Sequence, residues 1–202
     1  MPNVKQTLTH RQRQALATQK LIVDAARELF LEKGYAITTI EDISRKAGVA
    51  VSTVYAVFKN KRGILWAIRQ AWHEESGQRN IYEQALEEAD SVRRLELAAH
   101  ATRRQWETGA ATTAIYESAA ATDAEAAAEF QEAMRGRRAG MSHFIQVSTG
   151  LLRSDLSTGQ QTAIFLALTR TEIYREFVDV AGWTPDEYES WLAAILKQQL
   201  LP

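Results

Sequence analysis

The sequence predicts an all-α protein, with an N-terminal three-helix unit followed by a larger helical domain, and three observations carry that expectation. Apolar residues recur at helical spacing through most of the chain, and no apolar/polar alternation bounded by turn residues marks a strand. Residues 38–65, TTIEDISRKAGVAVSTVYAVFKNKRGIL, hold two short helical patterns separated by a glycine turn. Charge is also divided. Residues 1–70 carry twelve Lys and Arg against five Asp and Glu, a balance of +7, while residues 71–202 carry twelve against twenty, a balance of −8.

Residues 1–14 lack periodicity but include Lys5, Arg11 and Arg13, so they read either as a basic arm able to touch a polyanion or as an ordinary terminus. From Ala15, the residues Leu21, Ile22, Ala25, Ala26, Leu29 and Phe30 form a helical stripe that Gly34 stops. Thr38 and Thr39 each stand three residues before an acid, Glu41 and Asp42, so either can cap the next helix. Ile40, Ile43 and Ala47 line one face of that helix, and Gly48 supplies the left-handed residue that ends it.

Val51 to Phe58 forms the following helix. Val54 and Phe58 share a face, which leaves a small, polar surface elsewhere. Two helices joined this tightly match the geometry in which the second lies in a DNA major groove and reads base edges. Asn60 caps a further helix, and its neighbours Lys59, Lys61 and Arg62 put cations where the helix dipole is already positive, an arrangement that a phosphate would relieve.

In the order Phe30, Gly34, Thr39, Ile43, Ala47, Gly48, Val49, Thr53, Tyr55, Phe58, Lys61 and Leu65, this segment resembles the TetR family of bacterial transcriptional regulators. The specific part of the likeness covers roughly residues 15–70, and the remainder is similar only in helical layout and in its closing segment. The resemblance implies phosphate contacts from Tyr55 and Lys61, with Lys59 beside them. It also implies backbone contacts from Thr39 and Arg45, and a base-reading surface of Val51, Ser52, Thr53 and Ala56. Ala50 and Val57 depart from the family pattern, which moves the cap of the recognition helix to Ser52 or removes it. Val51, Ala56 and Val57 offer methyl groups to thymine rather than hydrogen bonds to purines.

Beyond the motif, Ile64, Leu65, Ile68 and Trp72 form a stripe that joins the basic and acidic parts. Gly77 and the polar run 87–91 bound another helical piece, after which Val92, Leu95, Ala99, Thr102 and Trp106 keep helical spacing. Residues 107–122, rich in Ala and Thr, read as a short or irregular helix carrying Ile115 and Tyr116. Asp123 caps a long run with Phe130, Met134, Met141, Phe144 and Ile145 on one side. Within it, the Gly136 and Gly140 pair permits either close helix contact or a bend. After a turn at 150–159, Ile164, Phe165, Leu168, Ile173, Tyr174 and Phe177 predict one helix buried on two sides. Thr184-Pro185-Asp186-Glu187 starts the last helix, which carries Tyr188, Trp191, Leu192, Ile195 and Leu196.

The expected division is therefore a basic arm at 1–14, a helix-turn-helix DNA-binding domain at 15–62, and a helical ligand-binding and dimerisation domain at 63–202. The resemblance implies a dimer seam along the last two helices, a near-palindromic double-stranded operator and a small-molecule effector that releases it. For the effector pocket the candidates are Trp106, Tyr116, Phe130, Met134, Phe144, Phe165 and Tyr174, inward-facing aromatics and a methionine on several helices. Arg103, Arg104 and Arg137 could answer an anionic ligand.

Cysteine is absent, which removes disulfides and thiolate metal sites and accords with a reducing cytoplasm. No apolar run reaches the length of a membrane span, and residues 1–14 lack a signal-peptide core, so a soluble, cytoplasmic protein without a membrane partner is expected. His10, His73, His100 and His143 form neither a HExxH nor an ExxH pair, so neither metal nor cofactor is expected. Two alternatives remain: a helix-turn-helix protein that binds DNA constitutively without a ligand, and an all-α enzyme in which Tyr116, Glu117, His143 and Tyr174 converge.

Overall fold

The computed structural model describes residues 9–202, and among them every regular element is helical. The first helix, α1 (His10–Lys33), starts five residues before Ala15, because Thr9 and Gln12 form a reciprocal capping box. Arg11 and Arg13 therefore sit on helix α1 rather than in an extended arm. Lys5 lies outside the described residues.

Helix α2 (Ile40–Ala47) is capped by Thr39, whose hydroxyl accepts from the Asp42 amide, while Thr38 is buried and donates to the Gly34 carbonyl. Gly48 closes α2 at φ 68°, and Gly48, Val49 and Ala50 lead into α3 (Val51–Phe58). Helix α4 (Lys61–Ser76) follows, with the Asn60 side chain accepting from the Gly63 amide at 2.9 Å. The link between α3 and α4 is a three-residue γ-turn. Lys59 takes φ 64° and ψ −42°, and the Asn60 amide donates to the Phe58 carbonyl at 2.7 Å.

Helices α5 (Gln78–Glu87), α6 (Ser91–Ala120) and α7 (Ala124–Ser148) form the body of the molecule. The stretch expected to be short or irregular is instead the second half of α6, an unbroken helix of 30 residues. Its Gly109, Thr112 and Thr113 are buried, and small side chains there admit neighbouring helices closely enough for packing to hold the helix. Asp123 caps α7 as its position predicts, accepting from the amides of Glu125 and Ala126. Arg94, 6% exposed, crosses the base of this group; it donates to the carbonyls of Leu86 and Glu88 at the end of α5 and to the Ser148 hydroxyl.

The single helix expected from Ile164 to Phe177 is broken. Helix α8 (Thr158–Leu168) ends at Thr169, and α9 (Thr171–Arg175) restarts and passes into a wider turn at Glu176–Val180. The Thr169 carbonyl is taken by the Trp106 indole N–H at 3.0 Å and by Arg137 at 2.7 Å, so it cannot continue the helix ladder. Helix α10 (Pro185–Leu200) begins with the Thr184/Glu187 capping box and Pro185 in its first turn.

Two apolar cores organise these helices. The first joins Ile22, Phe30, Ile43, Val54, Phe58, Ile64 and Ile68 to Ile115, Tyr116, Ala119 and Ala126. The second gathers Trp72, Tyr82, Trp106, Phe144, Phe165 and Tyr188 with the interior of α10. A cut at 62/63 therefore passes through the first core, which takes in the start of α4 and the α6–α7 corner.

Candidate nucleic-acid interface and effector cavity

On α3 the side chains of Ser52, Tyr55 and Ala56 are exposed at helical spacing along one face, with Val57 and Lys59 exposed next to them. Thr53 is half-buried, and Val51 packs partly against the first core, so the outward methyls belong mainly to Ala56 and Val57. Ala50 provides no side-chain cap, and Ser52 does not replace it. Thr39, which caps α2, and Arg45 within that helix are both exposed, and Arg45 pairs with Asp42 at 3.1 Å. Of the expected residues, Ser52, Tyr55, Ala56 and Lys59 are exposed on α3 and the turn that follows it, while Val51 and Thr53 are partly buried.

Lys61 is positioned differently from a free phosphate contact. Its ammonium donates to the carbonyls of Tyr35 at 2.6 Å and Thr38 at 3.1 Å and lies 4.2 Å from the centre of the Tyr35 ring. Desolvation lowers its pKa, and the charge is used to tie α4 to the α1–α2 turn. Tyr35 continues this connection: its hydroxyl donates to Asp123 at 3.2 Å and its amide to the Ser118 hydroxyl. Arg62 pairs with Glu125, and the Tyr116 hydroxyl donates to the Leu65 carbonyl. None of these braces between the helix-turn-helix and the α6–α7 corner was evident from sequence spacing.

Two cavities flank the middle of α7. One, of about 620 Å³, lies among α4, α5, α6 and α7 and is lined by Trp72, His73, Tyr82, Met141, His143 and Phe144 together with Arg137. The other, of about 790 Å³, lies on the opposite side of α7 against α8 and α9, beside Trp106 and Phe130. Met134 and Arg137 line both.

Of the seven expected pocket residues, Trp106, Phe130, Met134 and Phe144 reach a cavity. Tyr116, Phe165 and Tyr174 do not. Tyr116 belongs to the first core, and Phe165 and Tyr174 pack against Phe144 and Tyr188. Trp72, His73, Tyr82 and His143 also line the smaller cavity and were not among the expected residues, and the Gly136 and Gly140 pair, expected to give close helix contact or a bend, lies at the same cavity. Both glycines border the smaller cavity with nothing within 4 Å of where a Cβ would lie, so they leave open space rather than seat a neighbouring helix. The proposed catalytic grouping does not form: Tyr116 is bonded to Leu65, Tyr174 packs on Tyr188, and Glu117 and His143 line different cavities.

His73 stacks on Trp72 with ring centres 4.5 Å apart, and burial, then the nearby Arg79 and Arg69, lower its pKa to about 4. The fold favours the neutral imidazole, so its contribution to stability is intact above the ordinary value of 6.5 and is lost as pH falls from there toward 4. Denaturant midpoints measured across that range should decline with acidity, and His73→Gln should flatten the decline. Equal slopes for both proteins would remove His73 as its source.

The family description "Bacterial regulatory proteins, tetR family" matches residues 22–68, the helix-turn-helix and the start of α4. Residues 22–68 thus form a segment of the tetR type. The chain's TetR-type segment is 45% identical over 51 residues to the uncharacterized HTH-type transcriptional regulator YvkB of Bacillus subtilis, covering 25% of this chain and 27% of that one. The matched stretch spans about a quarter of the lengths of such relatives.

Over nearly the whole chain the TetR-type fold recurs in two solved structures. The SmeT–triclosan complex superposes with a TM-score of 0.74 at 21% identity, covering 92% of each chain. The transcriptional regulator FadR from Bacillus subtilis with stearoyl-CoA gives 0.64 at 19%, covering 88% of this chain and 96% of that one. Among the described residues, no helix is long and apolar enough to cross a membrane, and no three metal-ligating side chains come together.

Proposed function

We propose that the protein is a dimeric transcriptional repressor that binds a near-palindromic operator through α3 and is released when a small molecule enters the cavity beside α7. The observation carrying this reading is the span of α4. Its first turn, capped by Asn60, abuts the DNA-facing turn, and Trp72 on the same helix lines the 620 Å³ cavity. A ligand that favours one position of α4 would change the spacing of two recognition helices, which must fit major grooves roughly 34 Å apart. Triclosan and stearoyl-CoA in the two related folds support an effector site in this type of domain. For the dimer, α8 and α10 leave Ala163, Ala167 and Ala194 exposed beside half-buried Ile164 and Ile195, a surface suited to close helix packing. The regulator relatives favour this reading over an enzyme.

In this assignment Thr39, Arg45, Tyr55 and Lys59 meet phosphates, while Ser52, Thr53, Ala56 and Val57 face base edges and Lys61 acts as a brace. Fluorescence anisotropy on duplex DNA flanking the coding region tests it. Lys59→Ala should reduce the slope of log affinity against log salt by about one unit. Lys61→Met should leave the slope nearly unchanged but lower folding stability by about 2 kcal/mol, the worth of a charged hydrogen bond. The reverse pattern would return Lys61 to the phosphate. Replacing operator thymines with uracils should weaken binding by about 0.5–1 kcal/mol for each methyl removed from the interface. Unaltered affinity would exclude methyl readout. Failure to bind duplex DNA at low salt, or a single subunit in sedimentation, would overturn the function itself.

A further inference from the structure

Among the described residues, Arg94 and Arg137 both lack a carboxylate partner, but every guanidinium nitrogen of Arg94 donates to a protein oxygen, whereas Arg137 leaves its Nε unanswered. The other arginines singled out as possible anion partners are already neutralised: Arg103 pairs with Glu107 and Asp186, and Arg104 pairs with Glu107. Arg137 forms no ion pair with a carboxylate among the described residues. Its guanidinium donates only to the carbonyl and hydroxyl oxygens of Thr169 and lies 5.4 Å from the centre of the Trp106 ring. Its Nε is buried without any partner, and so is the hydroxyl of Tyr188, whose field reaches Arg137. Glu172, the carboxylate whose field reaches Arg137, is itself paired with Arg170. A largely buried cation without a direct counter-ion is costly, and a counter-charge supplied at the site relieves that cost.

The surroundings indicate where that charge would come from. Around the 620 Å³ cavity stand Arg69, Arg79 and Arg137 against Glu83 and Glu132, and Glu132 is already held by Arg135 at its outer edge. The remaining wall is largely aromatic and apolar, with Trp72, Tyr82, Met141 and Phe144. Gly136 and Gly140, both exposed, line this cavity with nothing within 4 Å of where a Cβ would lie, although glycine in a helix interior costs about 1 kcal/mol relative to alanine.

Resting on the effector reading above, we infer that the ligand of this cavity is an amphipathic organic anion. Its apolar body lies along Trp72, Tyr82 and Phe144, and its carboxylate or equivalent oxyanion is held by Arg137. Neutral hydrophobic molecules would fill the same space but leave the guanidinium unanswered. The charge therefore acts as the selector, and the aromatic wall supplies affinity common to both kinds of molecule.

Two dyes with the same ring system test this: 8-anilinonaphthalene-1-sulfonate carries an anion, and N-phenyl-1-naphthylamine lacks it. The intact protein should bind the sulfonate at least tenfold more tightly. Arg137→Gln should bring that ratio close to one while keeping the neutral dye, Arg137→Lys should preserve much of it, and Arg138→Gln, on the exposed side of α7, should leave it unaltered. Gly140→Leu, which occupies the open space, should lose both dyes while still melting cooperatively. Equal affinity for the two dyes in the intact protein, or a ratio unmoved by Arg137→Gln, would overturn the anion assignment and leave the cavity as an effector site. Absence of binding by either dye, or full binding by Gly140→Leu, would overturn the cavity as the site and the inference with it. Helix content and melting of each variant separate loss of the charge from loss of the fold.

Discussion

Gly63→Ala is expected to destabilise the DNA-binding unit by about 2–3 kcal/mol, the range for forcing an extra carbon into a filled space. Gly63 lies in the first turn of α4, where alanine would normally improve helix propensity by up to about 1 kcal/mol, so the predicted sign opposes the intrinsic preference. The cause is the γ-turn at Lys59, which brings the Phe58 carbonyl over Gly63. A methyl group there would overlap the carbonyl carbon and oxygen, and the obstacle is backbone rather than a movable side chain. To admit it, the turn must open, releasing the Asn60 cap and moving Lys59 and the end of α3. Chemical denaturation should show the loss, and duplex affinity should fall with it. Improved stability would mean that the turn does not hold this geometry.

Gly109→Ala should produce an effect of similar size at the other end of α4, about 2 kcal/mol. The position lies inside the 30-residue helix α6, and a Cβ there would run into the indole of Trp72. That ring has little room to retreat. It is 8% exposed, donates to the Gln105 carbonyl at 3.1 Å and stacks near Trp106 with centres 6.5 Å apart. Tryptophan fluorescence should shift as Trp72 is displaced, and the 620 Å³ cavity it lines should change shape. Trp72→Phe costs stability alone, yet in the Gly109→Ala background it should cost much less, because the smaller ring leaves room for the methyl. Simple additivity of the two substitutions would show that they do not share this contact.

The parts of the fold readable from sequence were those determined by neighbouring residues. Thr39, Asn60, Asp123 and Thr184 cap the helices they precede, and Gly48 ends α2, because each acts over three or four residues. The features that escaped are made by residues distant in sequence. Residues 107–122 present few large apolar side chains, and their helix is held by close packing with other elements. The break after α8 comes from Trp106 and Arg137 claiming one carbonyl of Thr169. In the interface, the side-chain types on α3 were legible, but the burial of Val51 and the internal use of Lys61 depend on how α1 and α4 fold back. In the cavity, residue type alone could not separate Tyr116 and Tyr174, which pack in the cores, from Trp72 and Tyr82, which line the space.

The first core also limits how freely the helix-turn-helix can be exchanged. Because Ile115, Tyr116, Ala119 and Ala126 complete it, and Asp123 and Glu125 grip Tyr35 and Arg62, the head is seated in a socket made by the far end of the body. A chimaera spliced at residue 62 would carry away the plug and leave the socket behind. Under the proposed function, giving this scaffold a new DNA target requires transplanting the α6–α7 corner with the head, or confining the edits to the outward residues of α3.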